Sequence, residues 1–154
     1  MLLATHAAMG ALIGRWTPYP WLGFVLGFLS HLFLDMIPHG DAQLYHHYKN
    51  GEKTRLAVSY ILVDAVGTVL LILTVFESRN FDSTRAMSFA FAGSLLPDFL
   101  VGLSEIIRAH WLKRFVSFHF FFHNYIVNRF KDFKFSSGVL FQLIVLGLFL
   151  LGVY

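Results

Sequence analysis

Apolar residues run along this chain in long blocks, and the breaks between blocks carry proline or charge. The first block, 2–13, stops before Trp16-Thr17-Pro18-Tyr19-Pro20, a proline-marked turn. The second, 21–37, ends at Pro38 and gives way to a polar loop over 39–55. Blocks at 56–76 and 86–107 follow, separated by the polar stretch 77–85, and Pro97 interrupts the later one. The last, 139–154, reads as a C-terminal anchor helix. Four or five blocks approach the roughly 20 apolar residues that span a hydrocarbon core. The pattern predicts an all-α fold, a polytopic membrane helical bundle of about five or six helices in one domain over 1–154.

The stretch 111–130 is different: it is dense in Phe yet carries Lys113, Arg114, His119, His123, Asn124 and Arg129. Phe115, Phe118, Phe122 and Ile126 share a face at helical spacing, with His119 and His123 close beside them. Such a segment either spans or lies in the interface as an amphipathic helix, and its charges favour the interface. Gly10 with Gly14, and Gly23 with Gly27, make small-x-x-x-small pairs that predict close packing of the first two helices as a hairpin.

Composition sharpens this picture. Hydrophobic residues make up 56% of the chain and charged residues 14%, against about 25% charged in a soluble domain, which is too few to cover a water-facing surface. The start, 1–14, lacks a basic n-region and an A-x-A site, so the first helix is expected to stay rather than be cleaved. There is no cysteine, so any metal must be held by nitrogen and oxygen. The net charge of +3 is modest, and the basic residues lie between apolar blocks. That arrangement suits membrane lipids with anionic headgroups and forms no stripe of the kind nucleic acid requires.

The candidate chemistry sits inside the apolar blocks. His31 and Asp35 are four apart and share a helical face. A ring nitrogen and a carboxylate one turn apart form a two-point grip on a divalent cation. His39 lies one turn further, beyond Pro38, and His119 and His123 repeat the four-residue spacing. Asp64, Asp98 and His6 stand alone in apolar blocks. An ionised Asp near the bilayer centre costs about 2.5–3.5 kcal/mol on insertion scales, a cost that a shared cation would offset. If helices alternate in direction, all of these groups converge about 10–15 Å below the face where the chain begins.

Other readings of the same residues stand beside this one. His31 and Asp35 also suit interhelical hydrogen bonds. Asp64 suits a ligand, a group orienting a ligand, or an interhelical bond. His46, His47 and His110 read as interfacial residues.

Thr5-His6 followed by Gly10 and Gly14, the segment Ser30-His31 through Leu34-Asp35, and Gly93-Ser94-Leu95-Leu96-Pro97-Asp98 resemble the inner-membrane metal-dependent hydrolase family, with the Pro-Asp and Ser-His segments in reversed order. That family is distantly similar to zinc-dependent phospholipase C and related single-strand nucleases, whose His-x-x-x-Asp, Pro, His pattern is approximated by His31, Asp35, Pro38 and His39. The resemblance implies metal-dependent hydrolysis. In that reading His6, His31, Asp35, Asp98, His119 and His123 hold one or two divalent cations. Zinc is the first expectation, and manganese or iron also suits such donors. Asp64 or His39 would complete the site, orient a ligand or act as general base. A site at headgroup depth beside an aromatic helix suits a phospholipid or a lipid-linked phosphate as substrate.

Two other classes remain open. The same groups could relay protons or pass a metal ion in a small transporter, which with so few helices would require a homo-oligomer. A non-catalytic membrane scaffold would use them only to lock helices. With the aromatic segment interfacial, nine basic residues lie in the loops on the site's side against three opposite. The positive-inside rule then puts the site on the cytoplasmic face of a prokaryotic inner membrane. With that segment spanning, the count is six against six.

Overall fold

The computed structural model describes residues 1–41 and 44–154; the side chains at 45 and 46, His46 among them, lie outside that description. The described residues form α1 (Leu3–Trp16), α2 (Pro20–Asp35), α3 (Leu44–Lys49), α4 (Thr54–Ser78), α5 (Thr84–Ile106), α6 (His110–His123), α7 (Val127–Phe130) and α8 (Phe135–Val153), and no strand among them. The fold is the all-α bundle the pattern predicts. The two additional helices, α3 and α7, have 6 and 4 residues, too short for hydrophobic periodicity to register.

Among the described residues, three helices are long and apolar enough to cross a membrane: α4, α5 and α8, with 25, 23 and 19 residues. At 1.5 Å per residue they rise about 37, 34 and 28 Å, against roughly 30 Å of hydrocarbon. Leu62, Val63 and Leu73 on α4 and Leu148 and Leu151 on α8 are exposed, as lipid-facing residues should be. Local chemistry sets the helix ends. Pro20 opens α2 at its first position, where the missing N–H is not needed. The Ser83 hydroxyl caps α5 by accepting from the Ala86 N–H at 3.2 Å.

The innermost helix is α1, packed against α2, α4, α5 and α8. Its Ala7, Ala8 and Ala11 are fully buried, and their small size is what lets four neighbours approach one backbone. The glycine pairs do not zip α1 to α2 as expected; all four face α5. A Cβ on Gly27 would lie 2.5 Å from the Ala90 carbonyl oxygen and one on Gly23 would lie 3.0 Å from that of Ala86, while Gly10 and Gly14 meet Ser94 and Met87. Helix α5 carries Ala86, Ala90 and Ser94 at the same four-residue interval, so a matching ridge of small residues fills the groove. At the end away from the His and Asp residues the core is apolar: Ala7, Ala11, Val75, Met87, Phe91 and Val153.

The aromatic stretch is not one continuous helix. It ends at His123, turns through 124–126, and resumes as α7. Nor is α8 only an anchor, because its Gln142 is fully buried and bonds to the loop after α2.

Candidate metal centre

The close seam between α2 and α5 places the first set of polar groups. With Gly27 and Gly93 at the crossing, His31 comes within reach of the α5 backbone, and its Nδ1–H donates to the Ser94 carbonyl at 2.8 Å. That bond fixes the tautomer and turns the Nε2 lone pair toward the carboxylates. His31 Nε2 lies 3.1 Å from Asp35 Oδ2 and 3.6 Å from Asp98 Oδ1. His119, delivered by α6, places its own Nε2 3.5 Å from Asp35 Oδ2 and 3.7 Å from Asp98 Oδ1. Ligand atoms of these four residues all lie within 4.8 Å of one another, close enough to hold a metal ion.

A second group shares Asp35 and adds His39 and His123, again within 4.8 Å. The His39 Nδ1–H donates to the Ile37 carbonyl at 2.6 Å, presenting Nε2 to Asp41 Oδ1 at 2.5 Å. His123 Nε2 lies 3.7 Å from the same Asp41 oxygen. This group stands on the turn after α2, which three contacts hold. Gln142 donates to the His39 carbonyl at 2.8 Å. Asp132 accepts from the Gly40 N–H at 2.8 Å. Gly40, at φ +83°, lies against the Gly138 backbone, where a side chain would not fit.

The sequence candidates therefore meet in two places. His31, Asp35, Asp98 and His119 form the first group, and His39 and His123 join Asp35 in the second. His6 supports Asp35 from behind: its Nε2 lies 3.1 Å from Asp35 Oδ1 and its ring stacks on His31 at 3.8 Å. Asp64 spends both carboxylate oxygens on α1, accepting from the N–H groups of Leu3 at 2.6 Å and Ala4 at 3.1 Å. It caps the first turn of α1, whose N–H groups have no partner within the helix. His47 pairs with Glu52 at 2.7 Å on the exposed α3 loop, away from both groups.

Asp41 was missed by sequence reasoning, as were Ser94, Asp132 and Gln142. The signal for Asp41 was present as the end of the run Asp35 to Asp41. A residue past a proline turn has no helical period to place it, however. Burial alone would push the Asp41 carboxyl up, but the Met1 amino group and the contacts from His123 and His39 outweigh burial and hold it far below the usual carboxylate range. Burial pushes the His119 imidazole down to about 4, so at neutral pH it is uncharged and has a lone pair to give.

Whether a cation fits can be judged from the donors. Among the described residues, His31 Nε2, Asp35 Oδ2 and His39 Nε2 are buried and make no hydrogen bond of proper geometry, although His31 faces Asp35 and His39 faces Asp41. A bare imidazole lone pair facing a carboxylate is repulsive, and unsatisfied buried polar atoms are costly. Asp35, Asp41 and Asp98 bring three acids together, while the Met1 amino nitrogen, 2.8 Å from Asp35 Oδ1, supplies one ammonium. The balance must come from protons on the neighbouring histidines or from a bound cation. The donor separations suit a cation as well. A tetrahedron with bonds of about 2.0–2.1 Å has edges of about 3.3–3.4 Å, and the four measured edges of the first group run from 3.1 to 3.7 Å.

No family model, curated protein or solved structure matches the chain. The functional reading therefore rests on this geometry.

Proposed function

We propose that the protein is a metal-dependent membrane hydrolase acting on a phosphoester near the headgroup layer, with two cations joined by Asp35. The observation that carries this reading is the pair of three- and four-residue donor groups sharing one carboxylate, with His31 Nε2, Asp35 Oδ2 and His39 Nε2 making no hydrogen bond of proper geometry. A bound divalent cation supplies Lewis acidity there, making water a nucleophile near neutral pH and drawing charge from a phosphoryl oxygen.

The chain's own residues divide the remaining work. Asp98, His31 and His119 complete a closed set of four donors with Asp35, a structural kind of coordination for zinc. The second group has three donors and leaves a position open, which is the arrangement of a catalytic site. Asp41 stands beside that group: its Oδ1 faces His39 and His123, which leaves Oδ2 as the oxygen to accept a proton from water. The general-base role first considered for Asp64 passes to Asp41 in this reading, because both Asp64 oxygens are occupied by α1. His6 orients Asp35, and Ser94 and Ile37 orient the two histidines through their carbonyls.

One observation favours a competing reading. The Met1 amino group already pairs with Asp35, so the cluster could act as a lock between helices without any metal. Elemental analysis separates the two. The purified protein should carry near-stoichiometric zinc, manganese or iron, lost in a folded His31→Ala/Asp98→Ala variant. Wild type that stays metal-free after incubation with each cation leaves the lock and removes the hydrolase.

A further inference from the structure

A cavity of about 370 Å³ adjoins the two donor groups, at the small end of the range for ligand pockets. Its inner end carries Asp41, Asp98, His119 and His123. Its outer wall is apolar, made by Val58, Ile61 and Leu62 of α4 on one side and Val101 and Gly102 of α5 on the other. Helices α4 and α5 meet at the far end, where the Phe76 and Phe91 rings lie 5.8 Å apart, and they flank the cavity at the site's end. Val58, Ile61 and Leu62 are exposed and belong to a membrane-spanning helix, which opens the cavity sideways toward lipid. Lys49 of α3 bonds to Glu105 of α5 at 2.6 Å and ties the polar rim together above this opening.

We propose that the gap between α4 and α5 receives the hydrocarbon chain of a lipid phosphoester entering from within the bilayer, with its phosphate at the His and Asp groups. This inference rests on the hydrolase reading and narrows its substrate from phosphoesters at large to single-chain lipid phosphates. A cavity that served a water-soluble phosphoester would need polar walls along its length. Here the wall between α4 and α5 is apolar, and the polar groups lie at the candidate ligands, at Tyr60 and Asp64, and at the Glu105 rim. A tail gains no hydrophobic energy by leaving lipid for an apolar pocket, so the pocket's use is positional: it sets the depth and direction of the head.

Gly102 offers a clean test, because a Cβ there would meet nothing within 4 Å. Gly102→Phe should therefore fill the cavity without disturbing packing. The probe is a phosphonate analogue of lysophosphatidic acid with a mid-chain diazirine, photolysed with the purified protein in phosphatidylcholine nanodiscs whose metal content is measured in parallel. Labelling should favour 57–62 and 101–105 over exposed Leu143 and Leu148 of α8 by about tenfold. Gly102→Phe should abolish that preference, and a monoacylglycerol probe with the same chain should show none. Should Gly102→Phe fail to fold, Ile61→Trp blocks the opposite wall.

Metal-loaded protein labelled evenly along α4 and α8 has ordinary bilayer lipid in the gap, which overturns the cavity assignment and leaves the hydrolase reading intact. Preferential labelling that Gly102→Phe and Ile61→Trp leave untouched overturns it equally. Metal-free protein with preferential, Gly102-sensitive labelling keeps the lipid site and removes the hydrolase. Metal-free protein labelled evenly removes both.

Discussion

The two donor groups share Asp35 but are held by different kinds of structure. The first takes His31, Asp98 and His119 from the regular helices α2, α5 and α6, whose backbones are fixed by a glycine and alanine seam. The second takes His39 from a turn that leans on Asp132, Gly138 and Gln142, residues scattered over α8 and the loop before it. Helical packing makes the first rigid and closed. A turn supported from several directions holds the second, which has three donors and, in the proposed reading, a position left for substrate.

The largest test of this division is Asp35→Asn. An amide offers one oxygen where the carboxylate offers two, and it carries no charge. In the two-cation reading the variant should lose both metals and all hydrolysis, while His31→Ala alone should first empty the four-donor group. His39→Ala should lower the metal content by one equivalent and leave the other. Metal-to-protein ratios by elemental analysis decide among these. Equal losses from His31→Ala and His39→Ala would mean that the two groups are one centre.

The same contrast explains what the sequence makes readable. His31 and Asp35 stand one turn apart, as do His119 and His123, so helical periodicity alone puts each pair on one face. Asp98 follows once α5 is seen to run alongside α2. The apolar character of α4, α5 and α8 is also visible in the raw pattern, but α2, with 16 residues, is shorter than its apolar block suggests. The partner of the glycine pairs was not visible, because small residues on α1, α2 and α5 are chemically equivalent and only three-dimensional fit selects among them. Asp41 and Gln142 were hidden for another reason: their roles come from contacts across more than 100 residues, as in Gln142 with His39, or from a turn without periodicity. Asp64 could not be assigned from sequence, because a lone acid in an apolar helix suits a ligand and an interhelical bond alike, and here it bonds the backbone N–H donors of another helix.

Intermediate effects should come from the supports of the turn. Gly40→Ala forces an L-residue to φ +83° and brings its Cβ within 2.9 Å of the Gly138 Cα, which should destabilise the turn by about 1–2 kcal/mol. Gln142→Leu removes the bond to the His39 carbonyl and should weaken the second metal about tenfold, the usual scale for groups that orient a ligand. Neither should disturb the first group. Competition of each variant against a chromogenic chelator gives the two affinities separately, and equal weakening of both would show that the turn and the helical seam respond as one unit.

The smallest effect is expected at Asp64, and it divides the present reading from the one the sequence first suggested. As a cap, Asp64 satisfies two N–H groups at the start of α1, and loss of a cap costs about 1 kcal/mol. Asp64→Asn keeps one acceptor oxygen, so the cost should be at the low end of that scale, with metal content unchanged. A general base contributes about 10²–10⁴ in rate, so removing one would leave almost no turnover. A thermal shift of a few degrees with hydrolysis and metal retained therefore assigns Asp64 to α1. Collapse of the rate at constant metal and constant folding would return the proton transfer to Asp64. That outcome would require its bonds to Leu3 and Ala4 to open during the reaction, and it would make Asp41 a support of His39 instead.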